Sequence, residues 1–394
     1  MKTLEGIQVL DLTQAYSGPF CTCQLADLGA EVIKIEPAKW GDQTRSWLPK
    51  KNGVSVYYTF VNRNKKSVSL NLQSDEGRQI FLELAKNTDV IVENLRPGAV
   101  AKLGLDYETV RKVKPDIIYA SISGFGQYGP ERDRAAYAII AEAMSGHMDH
   151  TGFPDGPPVK TGLSMADTFA GLFAFAGILL ALYHREKTGE GQYIDVAMLD
   201  CLFSATESAI INHSVFGSNP TRMGNRELFG APYDCYKAAD GYYVLGVGTE
   251  KAWKNLCKVL GKPELIDDPR FSSMESRKAN EEELTEIINH FGSTKTRAEL
   301  EELMSAAGIP YAPVLSIAEV MASEHIKARN MIIEMDDPRT IGKYKIAGIP
   351  LRMSASEASI DTTAPLLGEH NVEVLSRIGL SEDDVKTLSE KGVL

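Results

Sequence analysis

The chain has 394 residues, of which 43% are hydrophobic and 24% charged, with a formal net charge of −11. That is apolar material for a large core, in two domains more readily than one. The acidic excess, with no long run of Lys or Arg, speaks against an extended polyanion-binding patch and against nucleic acid as a partner, and leaves room for a basic pocket that takes a small polyanion.

The N-terminus, MKTLEGIQVLDLT, turns polar at once and lacks the long apolar stretch of a signal peptide. Ile7 to Leu12 then reads as a buried strand, Ser17 to Leu28 as a helix stopped by Gly29, and Glu31 to Glu36 as a second strand. The rhythm repeats with a helix from Asp75 to Lys86, a strand from Asp89 to Val92, a helix from Tyr107 to Val113 and a strand from Asp116 to Ser121. Such alternation predicts a parallel sheet with helices on both faces. After the rigid loop Gly152 to Pro158, residues Met165 to Arg185 are apolar nearly all round, which predicts a helix buried on most sides. Its most apolar part, Phe169 to Tyr183, is shorter than the ~20 residues a membrane span needs. A strand from Gln192 to Val196 and a helix from Met198 to Asn212 follow. Gly, Asn and Pro then scatter through Phe216 to Pro232, the expected crossing into a smaller domain with helices at Lys251–Leu260, Glu281–Phe291 and Arg297–Ala307. The expected division is residues 1–215 with 328–394, and 216–327. The tail from Ala328 carries short β-like pieces and a last helix near Glu382 to Lys391.

Cys21, Cys23, Cys201, Cys235 and Cys257 are odd in number and scattered. They read as reduced thiols in a cytoplasmic protein, and Cys21-Thr22-Cys23 has no second pair to complete a metal site. His147 and His150 lack supporting ligands at a useful spacing, so no metal is expected. Gly124-Phe125-Gly126-Gln127-Tyr128-Gly129 fits a dinucleotide-loop pattern, but the polar loop Pro130 to Arg134 follows it where a helix should open. Asp167 stands out. It lies in the first turn of the apolar helix, where unpaired N–H groups and the helix dipole stabilise a carboxylate. Pattern alone leaves both a helix cap and a catalytic carboxylate open.

Several segments carry a resemblance. They are Leu4 to Thr13, Leu28 to Glu36, Asn62 to Lys66, Val92 to Gly98, Ser123 to Pro130, His184 to Gln192, Asp268 to Phe271 and Pro365 to His370. In this order, along nearly the whole chain, they resemble the class III CoA-transferase family, which includes formyl-CoA:oxalate and carnitine CoA-transferases. The resemblance implies an α/β fold, with a Rossmann-like parallel-sheet large domain plus a smaller α/β domain, in an intertwined homodimer. It implies no tightly bound cofactor; a coenzyme A thioester is a substrate, and a free carboxylic acid accepts the CoA. Asp167 matches the family nucleophile. Positions matching CoA contacts are Ala15, Tyr16, Leu70, Asn71, Leu72, Gln73, Asn94, Leu95, Arg96, Lys102 and the stretch Ala135 to Tyr137. Arg96 and Lys102 suit CoA phosphates, whereas Pro37 and Ala135 stand where some members carry a cation. The glycine run that closes over the aspartate in formyl-CoA transferases has its nearest counterpart in Gly246-Val247-Gly248. Two other functions would place different demands on the chain. An acyl-CoA racemase of the same fold would need a histidine near Tyr137, where there is none. A non-catalytic acyl-CoA-binding protein would have no use for Asp167.

Overall fold

Six strands form one parallel sheet: β1 (Gln8–Asp11), β2 (Glu31–Glu36), β3 (Lys65–Ser69), β4 (Val90–Glu93), β5 (Ile118–Ser123) and β6 (Tyr193–Ala197). Their order is β3-β2-β1-β4-β5-β6, and every pairing is parallel. This is the Rossmann order, whose direction reverses between β1 and β4 and leaves a crevice beyond the strands' carboxyl ends. The computed structural model describes residues 1–394.

The strands are apolar on both faces because helices cover both. On one side α1 (Ser17–Asp27) and α5 (Met165–Thr188) pack on Val9, Val32, Val90 and Ile118; α4 (Ala138–Met144) and α6 (Met198–Ser204) join them. On the other, α3 (Asp75–Ala85) packs through Ile80, Phe81 and Leu84 on Leu10, Ile33, Ile91 and Tyr119. The tail covers the free edge of β3. His370 N–H donates to the Ser67 carbonyl (3.0 Å), and Asn371 Oδ1 accepts from Ser69 N–H (3.0 Å). A covered edge cannot recruit a foreign strand.

Residues Met1–Met148, Lys160–Asn219 and Lys327–Leu394 make one unit, and Asp149–Val159 with Pro220–Ile326 make the other. The loop at 149–159 thus belongs to the second unit, where the sequence reading had kept it in the large domain. The second unit is a three-stranded antiparallel sheet with helices against it, around Trp253, Tyr236, Tyr243, Phe271 and Leu300. Its hairpin, Tyr233–Ala238 to Gly241–Gly246, was not foreseen, because Asp234 and Lys237 interrupt its apolar pattern.

Three other expectations need correction. First, β3 begins with two lysines and was not read as a strand; Lys65 is nevertheless fully buried there. Second, Met198 to Asn212 is two helices, α6 and α7 (Ala209–Phe216), broken where Glu207 takes φ 49°. Ser204 and Thr206 hydroxyls bond the carbonyls of Cys201 (2.8 Å) and Phe203 (2.8 Å), competing with the helix ladder. Third, α5 is 24 residues long, enough by length and composition to cross a membrane, and it buries only one face. Ala166, Ala170, Gly171, Ala174, Ile178 and Ala181 face the sheet and α1. Leu172, Phe173, Leu180 and Tyr183 are exposed, as are Ile210, Ile211, Val215 and Phe216 of α7.

Candidate active site

The crevice is built on the turn that follows β1. Asp11 ends that strand fully buried, between two fully buried lysines, Lys34 and Lys65. Burial alone would raise the Asp11 pKa. The charges of Lys34 and Lys65 outweigh burial and hold the carboxyl well below its usual range. Lys65 Nζ also meets the oxygens of Asn62 (3.0 Å), Pro19 (3.0 Å) and Thr22 (2.8 Å). Lys34 Nζ pairs with Asp42 (2.9 Å) and donates to the Thr13 carbonyl (2.7 Å). A buried ion is tolerated when its partners are this complete. The cluster pins the turn that follows it. Thr13 N–H donates to Asp11 Oδ1 (2.8 Å), and Ala15 N–H to Asp42 Oδ1 (3.3 Å). The second bond holds Ala15 at φ 65°, a left-handed backbone that costs a non-glycine residue roughly 1–2 kcal/mol.

Asn94, just past β4, ties this turn to its neighbour. Its Oδ1 accepts from Gln14 N–H (2.7 Å), and its Nδ2 donates to the Gln14 carbonyl (2.7 Å) and to Ser17 Oγ (3.3 Å). The two loops that flank the switch point are thereby locked together, with Ser17 opening α1.

Asp167 comes to the same place from α5. Gly171, one turn further on, lets α5 press against α1: a Cβ there would sit 2.8 Å from the Ser17 carbonyl oxygen and 3.0 Å from the Phe20 ring. This close approach sets Asp167 against Ser17. Burial pushes the Asp167 pKa up to about 6, although the Ser17 hydroxyl and N–H both favour its charged form; the charge of Glu142 adds to the rise. The carboxylate is therefore poorly solvated yet still mostly ionised at neutral pH, which suits a nucleophile. Beside it, Thr168 Oγ1 donates to the Tyr16 hydroxyl (3.3 Å). Tyr16 stacks among Phe20, Tyr57 and Phe60 at centroid distances of 5.3, 6.0 and 6.1 Å, and Trp47 lies 5.1 Å from Tyr57.

A cleft of about 580 Å³ is lined by Ala15, Tyr16, Asn94, Leu95, Arg96, Tyr137 and Asp167, with Ala135, Arg134 and Lys160 also on its wall. Leu70, Asn71, Leu72 and Gln73 line a second cavity of about 590 Å³, with Ile35 and Trp40. Gln14 and Leu95 line both. Two candidate regions thus adjoin, and together they suit a long substrate. Lys102 ends the short helix Ala99–Lys102, is exposed, and lines neither space. Gly246 closes a strand of the hairpin in the second unit. The glycine loop at 124–129 opens into no helix before Ala138. Sequence reasoning missed Ser17, Glu142, Trp47 and Tyr57. Only the aromatic run Val56-Tyr57-Tyr58-Thr59-Phe60 gave a signal; nothing at Ser17 or Glu142 marks it as a neighbour of Asp167.

The raised pKa has a consequence for stability. A carboxyl whose pKa is higher folded than unfolded stabilises the fold below its unfolded value, near 3.8, and loses that contribution as pH rises through about 6. Asp167→Asn is therefore expected to be more stable than wild type at pH 7.5, by about 1–3 kcal/mol. The gain should vanish near pH 4 in melting curves recorded across that range.

Known proteins bear on this arrangement. The profile of "CoA-transferase family III" matches residues 4–371. Acetyl-CoA:oxalate CoA-transferase of Acetobacter aceti is 43% identical over 351 residues, covering 89% of this chain and 89% of that protein. Succinyl-CoA:glutarate CoA-transferase of Mus musculus is 40% identical over 379 residues, covering 96% of this chain and 87% of that protein. The crystal structure of a CAIB/BAIF family protein from Brucella suis superposes with a TM-score of 0.88 at 35% identity, covering 96% of this chain and 99% of that one. The chain belongs to CoA-transferase family III, enzymes that pass coenzyme A from an acyl-CoA donor to a carboxylic acid acceptor.

Proposed function

We propose that CoA moves through a covalent intermediate on Asp167. Attack of its carboxylate on the acyl-CoA carbonyl forms a C–O bond and expels CoA thiolate, leaving an aspartyl–acyl anhydride. The thiolate re-attacks at the Asp167 carbonyl, releases the donor acid and leaves an aspartyl-CoA thioester. The acceptor acid reverses these steps through a second anhydride. The observation that carries this reading is the placement of Asp167: desolvated, on the cleft wall, against the N-terminal N–H of α1. Helix-terminal N–H groups of this kind suit the oxyanion of each tetrahedral centre. The aromatic wall around Tyr16 keeps water from the anhydride.

The adjoining cavities take the two ends of a CoA thioester in this reading, with the nucleotide at Leu70 to Gln73 and the thioester at Asp167. Arg96 meets a phosphate, and Lys102 lies beyond both cavities. Arg96→Ala is expected to weaken every CoA thioester alike, by about ten- to a hundredfold for the loss of a charged contact worth about 1.5–3 kcal/mol. Lys102→Ala should act in the same direction and less strongly. Calorimetric titration with several acyl-CoAs checks both, and an effect confined to one acyl group contradicts the assignment.

A second copy of the chain covers the apolar faces of α5 and α7 in this reading, giving the intertwined homodimer. Exposed Leu180, Tyr183, Ile211 and Phe216 support it, since a patch this apolar seeks a partner. The setting is cytoplasmic, in keeping with five free cysteines, four of them buried. Mass spectrometry of acid and acyl-CoA mixtures tests the activity. Oxalate and glutarate head the acceptor panel because relatives are named for them. A new CoA thioester should form as the donor disappears, without free CoA. Release of free CoA alone would contradict transfer.

A further inference from the structure

One buried acid stands beside the nucleophile with no part in the steps above. Glu142, on α4, is 1% exposed. Its Oε1 accepts from Met165 N–H (3.0 Å) at the start of α5, two residues before Asp167. Its Oε2 is enclosed and has no hydrogen-bond partner. Capping an N–H needs one oxygen and no charge. A second oxygen shut away from water without a partner costs free energy that capping alone does not repay. The placement calls for a role beyond the cap.

We propose that Glu142 is a positioning residue for CoA transfer, which fixes the first turn of α5 through Met165 and drives negative charge off Asp167 as the acyl bond forms. The inference rests on Asp167 being the nucleophile. In the attack, an Asp167 oxygen forms a bond to the thioester carbon and the carbonyl π pair moves onto oxygen. Collapse breaks the C–S bond, and the electron pair leaves on the CoA sulfur. Asp167 thus passes from a carboxylate to a neutral anhydride. Repulsion between two buried acids is present before this step and relieved during it, and only such a differential interaction accelerates a reaction. The titratable groups facing Asp167 from the surrounding elements are Tyr16 at the start of α1, Tyr57 on α2 (Val56–Val61) and Glu142 on α4. Lys160, Arg134 and Arg96 line the same cleft.

Glu142→Gln separates charge from cap, because the amide oxygen still accepts from Met165 N–H. The acid limb of kcat/KM, which reports the free enzyme, is expected to move down by roughly 0.5–1 pH unit, with KM for the acyl-CoA unchanged. A residue that only caps the helix would leave that limb in place, and an unmoved limb in a well-folded variant overturns the proposal. A second variant adds an independent check. Glu142→Ala removes the charge and the acceptor of the Met165 N–H together, so the limb should move as in Glu142→Gln while kcat falls as well. A limb left at the wild-type pH in this variant also overturns the proposal. Failure of the nucleophile reading looks different: hydroxylamine would then trap no adduct at Asp167 in the wild type.

Discussion

Asp167→Ala is expected to lower CoA transfer by at least about a thousandfold, because it removes the atom that forms the covalent bond. Binding of CoA thioesters should stay near the wild-type value. Asp167 sits at one end of the adjoining cavities, while the proposed nucleotide contacts at Leu70 to Gln73 lie in the other. Asp167→Asn should be nearly as damaging, since a neutral amide does not attack a thioester, even though the same change stabilises the fold at pH 7.5. That opposition is informative. A substitution that raises the melting temperature while abolishing turnover marks a group held at a cost in stability for the sake of its chemistry. Steady-state kinetics beside calorimetric binding checks the pair, and substantial turnover by either variant contradicts the role.

The second large effect is expected far from substrate. Lys65→Met removes the buried cation that meets Asp11 (2.9 Å), Asn62, Pro19 and Thr22. Breaking a buried pair from one side costs about 3–5 kcal/mol, because the remaining charge is left uncompensated. The melting temperature should fall on the order of 10 °C. Activity measured well below the melting range should fall too, because Asp11 and Lys34 anchor the Thr13–Ser17 turn that meets Asp167. A melting temperature within a degree or two of wild type would mean that the cluster does not hold the turn.

How far the sequence reveals this molecule depends on the range of the interaction concerned. Strand β2 lies where its apolar run put it, Glu31 to Glu36, and α1 ends one residue before the expected Leu28. Local periodicity decides such elements, and the βα rhythm decides the parallel sheet. β3 was hidden because its lysines read as surface. What makes Lys65 a core residue is Asp11, 54 positions away. The helix α5 was expected to be buried on most sides and buries one face, since composition cannot show which part of an apolar surface its own chain covers. At the site, the sequence singled out Asp167 through the family resemblance and its place in a first turn, while pattern alone left a helix cap open as well. Its environment was not legible. Ser17 and the aromatic ring cluster reach it through the close packing at Gly171, and Glu142 through the Met165 N–H, contacts between residues that no local pattern links. Two cavities meeting at Gln14 and Leu95 likewise follow from strand order, which brings the loops after β1 and β4 side by side.

The central claim is that CoA passes through a bond to the Asp167 carboxylate. The most direct measurement incubates the enzyme with acyl-CoA and no acceptor, adds hydroxylamine, and maps the product by peptide mass spectrometry. A hydroxamate is expected at Asp167, in the peptide that opens α5, formed only when acyl-CoA is present. A hydroxamate at another residue, or none at all in enzyme that is turning over, would contradict the claim.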